Sequence, residues 1–98
     1  MFRIVYEKQA AKDVKNLKGA GLDKRARELI EVLRENPFQT PPAYEGLVGN
    51  LLGYYSRRIN IQHRLVYQVY SEAFAEDGVD YEGTVKIIRM WTHYNGMR

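Results

Sequence analysis

Tyr54-Tyr-Ser-Arg-Arg-Ile59 and His63-Arg-Leu-Val-Tyr-Gln-Val-Tyr70, separated only by Asn60-Ile61-Gln62, decide the architecture of this 98-residue chain. Both runs are rich in β-branched and aromatic residues. In the second, Leu65, Tyr67 and Val69 alternate with Arg64, Val66 and Gln68. Such alternation sends successive side chains to opposite faces of a strand, and the short connection predicts an antiparallel hairpin. Downstream, residues 84–91 read as a last strand, with Val85 and Ile87 on one face and Ile88 and Met90 on the other. Residues 71–83 are long for a hairpin connection and leave room for a small hairpin of their own.

Upstream the period changes. Asn36-Pro-Phe-Gln-Thr-Pro-Pro-Ala-Tyr44 holds all three prolines and reads as a loop stiffened by their fixed torsions. Before it, Leu22, Ala26, Leu29, Ile30 and Leu33 form one helical stripe that stops ahead of Pro37. An earlier helix carries Ala10, Ala11, Val14 and Leu17, with Lys8, Lys12, Lys15 and Lys18 between them, and Gly19 and Gly21 end it. Phe2 to Tyr6 is a first strand. The predicted fold class is α+β: an N-terminal strand, a two-helix hairpin, then an antiparallel sheet with the helices on one face.

A chain of 98 residues has apolar surface for one core, so residues 1–98 make a single domain. Zero cysteines exclude a disulfide framework, a thiolate zinc site and a cysteine nucleophile. No run approaches the roughly 20 apolar residues of a membrane span, and the N-terminus is interrupted too soon for a secretory signal. The expected location is cytoplasmic. The net charge of +3 understates how basic most of the chain is. Residues 71–83 hold Glu72, Glu76, Asp77, Asp80 and Glu82 and no Lys or Arg, which leaves 15 basic against seven acidic residues elsewhere. A basic body with one segregated acidic segment fits an anionic partner such as nucleic acid, or simply confers solubility.

Cutting RNA with its own 2′-hydroxyl needs a base for that proton, cations for the phosphate and an acid for the departing 5′-oxygen. Glu45 is the only acidic residue between Glu35 and Glu72 and stands just after the proline-rich loop. Arg57 and Arg58 are adjacent, so on a strand they face opposite ways, one toward a ligand and the other toward solvent. Arg64 lies in the alternating strand, where a guanidinium suits a phosphate by its planar fork of donors. His93 and Tyr94 follow the last strand, and an imidazole titrates near neutrality. Each has a plainer reading as a surface residue, and His63 reads as packing or turn structure. Two distant histidines without cysteine make a weak metal site, so no metal and no cofactor are expected.

Taken in order, Glu45-Gly-Leu47, Asn50-Leu-Leu-Gly-Tyr-Tyr-Ser-Arg-Arg-Ile59, His63-Arg-Leu-Val-Tyr67 and His93-Tyr94 resemble the YoeB/Txe branch of the RelE-like toxins. The resemblance implies a microbial RNase-like fold and a ribosome-dependent messenger-RNA endonuclease cutting in the ribosomal A site. It implies Glu45 as general base, His93 as general acid and Arg64 on the scissile phosphate. Tyr94 would position the RNA, and Arg57 or Arg58 would add phosphate or ribosomal-RNA contacts. The partners implied are the ribosome, messenger RNA and a YefM-like antitoxin wrapping the basic site, with a homodimer also open and no membrane. Departures are Val48 where relatives commonly carry Lys, the tail Asn95-Gly-Met-Arg98 after the His-Tyr pair, and the acidic insertion 71–83. Two competing classes are a RelE-superfamily toxin acting on a protein such as gyrase, and a non-catalytic nucleic-acid-binding module.

Overall fold

The protein is described by a computed structural model covering residues 1–92. In chain order the strands and α-helices are β1 (Phe2–Tyr6), α1 (Lys8–Gly19), α2 (Asp23–Glu35), β2 (Tyr44–Gly46), β3 (Tyr54–Arg58), β4 (Arg64–Tyr70), β5 (Phe74–Glu76), β6 (Val79–Tyr81) and β7 (Gly83–Thr92), with one 3-10 turn at Gly49–Leu51. Five strands form one sheet in the order β1-β7-β4-β3-β2, and β5 pairs with β6 apart from it. The hairpin of β3 and β4 forms as its alternation requires, with Tyr55 opposite Tyr67 and Arg57 opposite Leu65. Only β1 departs from the antiparallel pattern, lying parallel to β7.

One sheet face is covered by the helices. The α2 stripe Ala26, Leu29, Ile30 and Leu33 meets Leu65, Tyr67, Val85 and Ile87 in a single core. Burying a side chain of that size stabilises by about 1.5–3 kcal/mol, which is why periodicity alone placed this helix correctly. In α1 the buried face differs from the one expected. Ala11 is exposed and Asp13 is fully buried in its stead. Its carboxylate accepts from Arg89 Nε at 2.9 Å and from the Met90 backbone N–H at 2.9 Å. A charge can lie there because every donor it meets is fixed in place.

The β4–β7 register slips between Arg64 and Val66 and again between Val66 and Tyr67. Each slip places an extra residue in β7, a bulge that breaks the period of two. As a result Met90 joins Val85 and Ile87 in the core rather than facing the other way with Ile88. The acidic segment does carry its own hairpin, β5–β6, turned by Asp77 (φ 52°) and Gly78 (φ 77°). Two successive positive φ values make the tight turn that matches strand twist, and Asp-Gly is suited to it. Phe74 stacks on Tyr81 at 5.0 Å, and Glu76 pairs with Arg3 of β1. Gly83 then starts β7 where a Cβ would collide with the carbonyl oxygen of Tyr70. Among the described residues no helix is long and apolar enough to cross a membrane.

Candidate active site

The site begins with a buried arginine. Arg57, expected as one of two RNA-binding arginines, is 0% exposed, so its guanidinium is turned into the protein and away from solvent. A buried guanidinium must find acceptors for its five N–H groups. The proline-rich loop supplies them: Nη1 donates to the Pro42 carbonyl at 2.6 Å, and Nη2 to those of Pro37 and Gln39 at 2.9 Å each. Nε donates to the Tyr67 hydroxyl at 3.2 Å, which itself donates to Pro37 O at 2.8 Å. The Tyr44 ring lies over the guanidinium at 5.0 Å, a cation–π contact. Burial pushes the Tyr67 hydroxyl above the usual tyrosine range, against the opposing pull of the Arg57 charge.

Fastened in this way, the end of the loop runs as β2 along β3, placing Tyr44 opposite Arg57 and Glu45 opposite Ser56. Three residues of edge strand lie where the sequence read only as loop. The loop that leads into them is fastened by an arginine more than ten residues further on.

On the sheet face opposite the helices, Glu45 Oε1 accepts from Arg64 Nη2 at 2.7 Å. The glutamate side chain is 50% exposed and the arginine 20%. Arg58 is exposed and stands directly opposite Arg64, so two like charges share one face. Glu45 offsets one of them. These residues line an open cleft of about 500 Å³ together with Arg25, Pro42, Tyr44, Ser56 and Asn60. Its charged lining is three arginines against one glutamate, an excess of two positive charges suited to a phosphate-bearing chain. Sequence reasoning missed Arg25, which reaches the cleft from the exposed side of α2, where nothing distinguishes it from its neighbours. It also passed over Ser56, although this residue stands inside the quoted motif.

His63 is buried and stacks on Trp91 with ring centroids 3.8 Å apart and planes 16° from parallel. This agrees with its reading as a packing residue. The last described residue, Thr92, is the register partner of Arg64, so the chain leaves β7 beside the Glu45–Arg64 pair. His93 and Tyr94 lie outside the described residues. Among the described residues no cluster of three or more His, Cys, Asp or Glu side chains is arranged for a metal ion.

Comparison with known proteins follows the same lines. Toxin YoeB of Synechocystis sp. is 48% identical over 46 residues, 47% of this chain and 54% of the relative. Toxin YoeB of Escherichia coli K12 is also 48% identical, over 47% of this chain and 55% of its own length. The match thus spans about half the length of these curated relatives. A YoeB/ParE toxin from Agrobacterium tumefaciens superposes with a TM-score of 0.75 at 26% identity, covering 95% of this chain and all of the other. The toxin in a YoeB–YefM complex from Staphylococcus aureus superposes at 0.69 with 33% identity, covering 96% and 99%. Residues 6–94 match the family of YoeB-like toxins of bacterial type II toxin–antitoxin systems, and the chain belongs to that family.

Proposed function

We propose that this protein is a ribosome-dependent messenger-RNA endoribonuclease, the toxin of a type II module, cutting without a metal by 2′-hydroxyl attack in the ribosomal A site. The observation that carries this reading is the Glu45–Arg64 pair, half open to a cleft with excess positive charge. A pair this exposed is worth about 1 kcal/mol or less. An arginine–phosphate bond shielded in a cleft is worth about 1.5–3 kcal/mol, so a bound phosphodiester draws Arg64 to itself. The freed carboxylate then takes the 2′-hydroxyl proton, and Arg64 holds the equatorial oxygens as charge gathers on them. Arg58 and Arg25 carry flanking phosphates. His93, following Thr92 in the chain, protonates the departing 5′-oxygen, and Tyr94 positions the RNA.

Partners follow from the same chemistry and from the family. The Staphylococcus aureus relative was solved with YefM and also as a dimer. Here a YefM-like antitoxin with an acidic segment covers the cleft and takes the arginines from RNA. Such a protein works in the cytoplasm, where the ribosomes are.

The test is primer extension on a message translated in vitro, with and without the protein. Cuts confined to ribosome-occupied codons are expected. Intact messages beside altered DNA supercoiling would assign the toxin a protein target instead.

A further inference from the structure

One polar side chain lining the cleft is both buried and without a part in the chemistry above. Ser56 is 1% exposed and lines the cleft, and its Oγ has no hydrogen-bond partner among the described residues. A buried hydroxyl left in that state costs roughly 1–3 kcal/mol, so its retention calls for a partner that arrives later. Its cross-strand neighbours are Glu45 on β2 and Val66 on β4. The valine side chain has no polar atom to offer. Directly opposed residues on one face have Cβ atoms about 4.5–5.5 Å apart, within reach of a glutamate carboxylate after a side-chain rotation. In the free protein that carboxylate is turned to Arg64 instead.

We infer that Ser56 is a positioning residue for the base: when a phosphodiester draws Arg64 away, the Ser56 hydroxyl donates to the Glu45 carboxylate and holds it toward the ribose 2′-hydroxyl. This rests on the nuclease reading above. The exchange needs no proton transfer from the serine. It replaces one donor to the carboxylate by another, so the base keeps a fixed direction while the guanidinium serves the phosphate.

The test compares Ser56→Ala with the wild-type full chain in single-turnover cleavage of a message on translating ribosomes, beside thermal unfolding of both proteins. Loss of one hydrogen bond to a charged group predicts cleavage at saturating toxin about tenfold slower or more. The concentration for half-maximal rate stays the same, and Tm is unchanged or raised because a desolvated hydroxyl has been removed. An unchanged rate overturns the assignment. So does a weakened apparent affinity at unchanged rate, or a lowered Tm accompanying the loss of activity. A folded wild-type chain that leaves the message uncut removes the nuclease reading itself. Wild-type cutting beside a fully active Ser56→Ala removes only the role of the serine.

Discussion

Asp13–Arg89 and Glu45–Arg64 are both carboxylate–guanidinium pairs, yet only one of them is closed. The Asp13 side chain is 1% exposed and accepts from Arg89 Nε, Arg89 Nη2 and the Met90 N–H. Arg89 also donates to the Trp91 carbonyl at 3.0 Å, so both members are tied to the bulged end of β7. The Glu45 side chain is 50% exposed and faces a cleft. Saturated by the protein itself, the first pair acts on the fold alone. The second keeps acceptor capacity on Glu45 toward solvent, which the proposed exchange of partners requires. Arg57 extends the lesson, since a guanidinium buried without a carboxylate is satisfied by loop carbonyls and serves to hold Glu45 in place.

The contrast is open to direct attack. Replacing Glu45 by glutamine keeps shape and removes the base, so the cleavage rate should fall about 10²–10⁴-fold. Because the pair is so exposed, the unfolding free energy should stay within about 1 kcal/mol of wild type. Full cleavage by Glu45→Gln, or a protein that no longer folds, would erase the distinction. Next in size, Asp13→Asn leaves Arg89 without its countercharge and should cost about 3 kcal/mol in urea denaturation. A change smaller than that of a surface pair would show that the buried contact is dispensable.

The third effect is smaller and sharpens the role of Arg57. Tyr67→Phe removes the hydroxyl lying between Arg57 and the Pro37 carbonyl and should cost about 1–2 kcal/mol. It also carries a pH signature. Burial raises the Tyr67 hydroxyl above its ordinary 10.0, so as pH rises past that value the unfolded chain releases this proton first. Stability contributed by the protonated phenol is therefore full below pH 10.0 and is lost as pH climbs toward the folded-state value. Tyr67→Phe should show a flatter alkaline decline than wild type in denaturation series taken on either side of that pH. An identical slope would mean that the hydroxyl is not held as described.

How much of this was legible in the chain depends on how local each cause is. The α2 stripe and the β3–β4 hairpin are written in their own periods, and Asp77-Gly78 turns the small acidic hairpin by its own backbone preference. Glu45 and Arg64 were each legible as motif residues through the family resemblance, but their ion pair was not. Nor was the register that joins them, since it runs through β2, whose preceding loop is fastened by Arg57 to the carbonyls of Pro37, Gln39 and Pro42. For the same reason Arg57 and Arg58 could not be told apart from their position in the chain. Met90 changed face because bulges shift the register of β7, and Asp13 took a core position that hydrophobicity would give to Ala11. Each of these misses has its cause in a partner far along the chain.

The parallel pairing of β1 with β7 has a bearing on when the fold can be completed. At the sheet edge β1 pairs with β7, and Phe2 waits for Gly83 to appear before its ladder can form. At roughly 5–20 residues per second, the first strand spends on the order of ten seconds unzipped while the rest is translated. The five-stranded sheet therefore closes late, and until β7 has been made the first strand has no ladder to lean on.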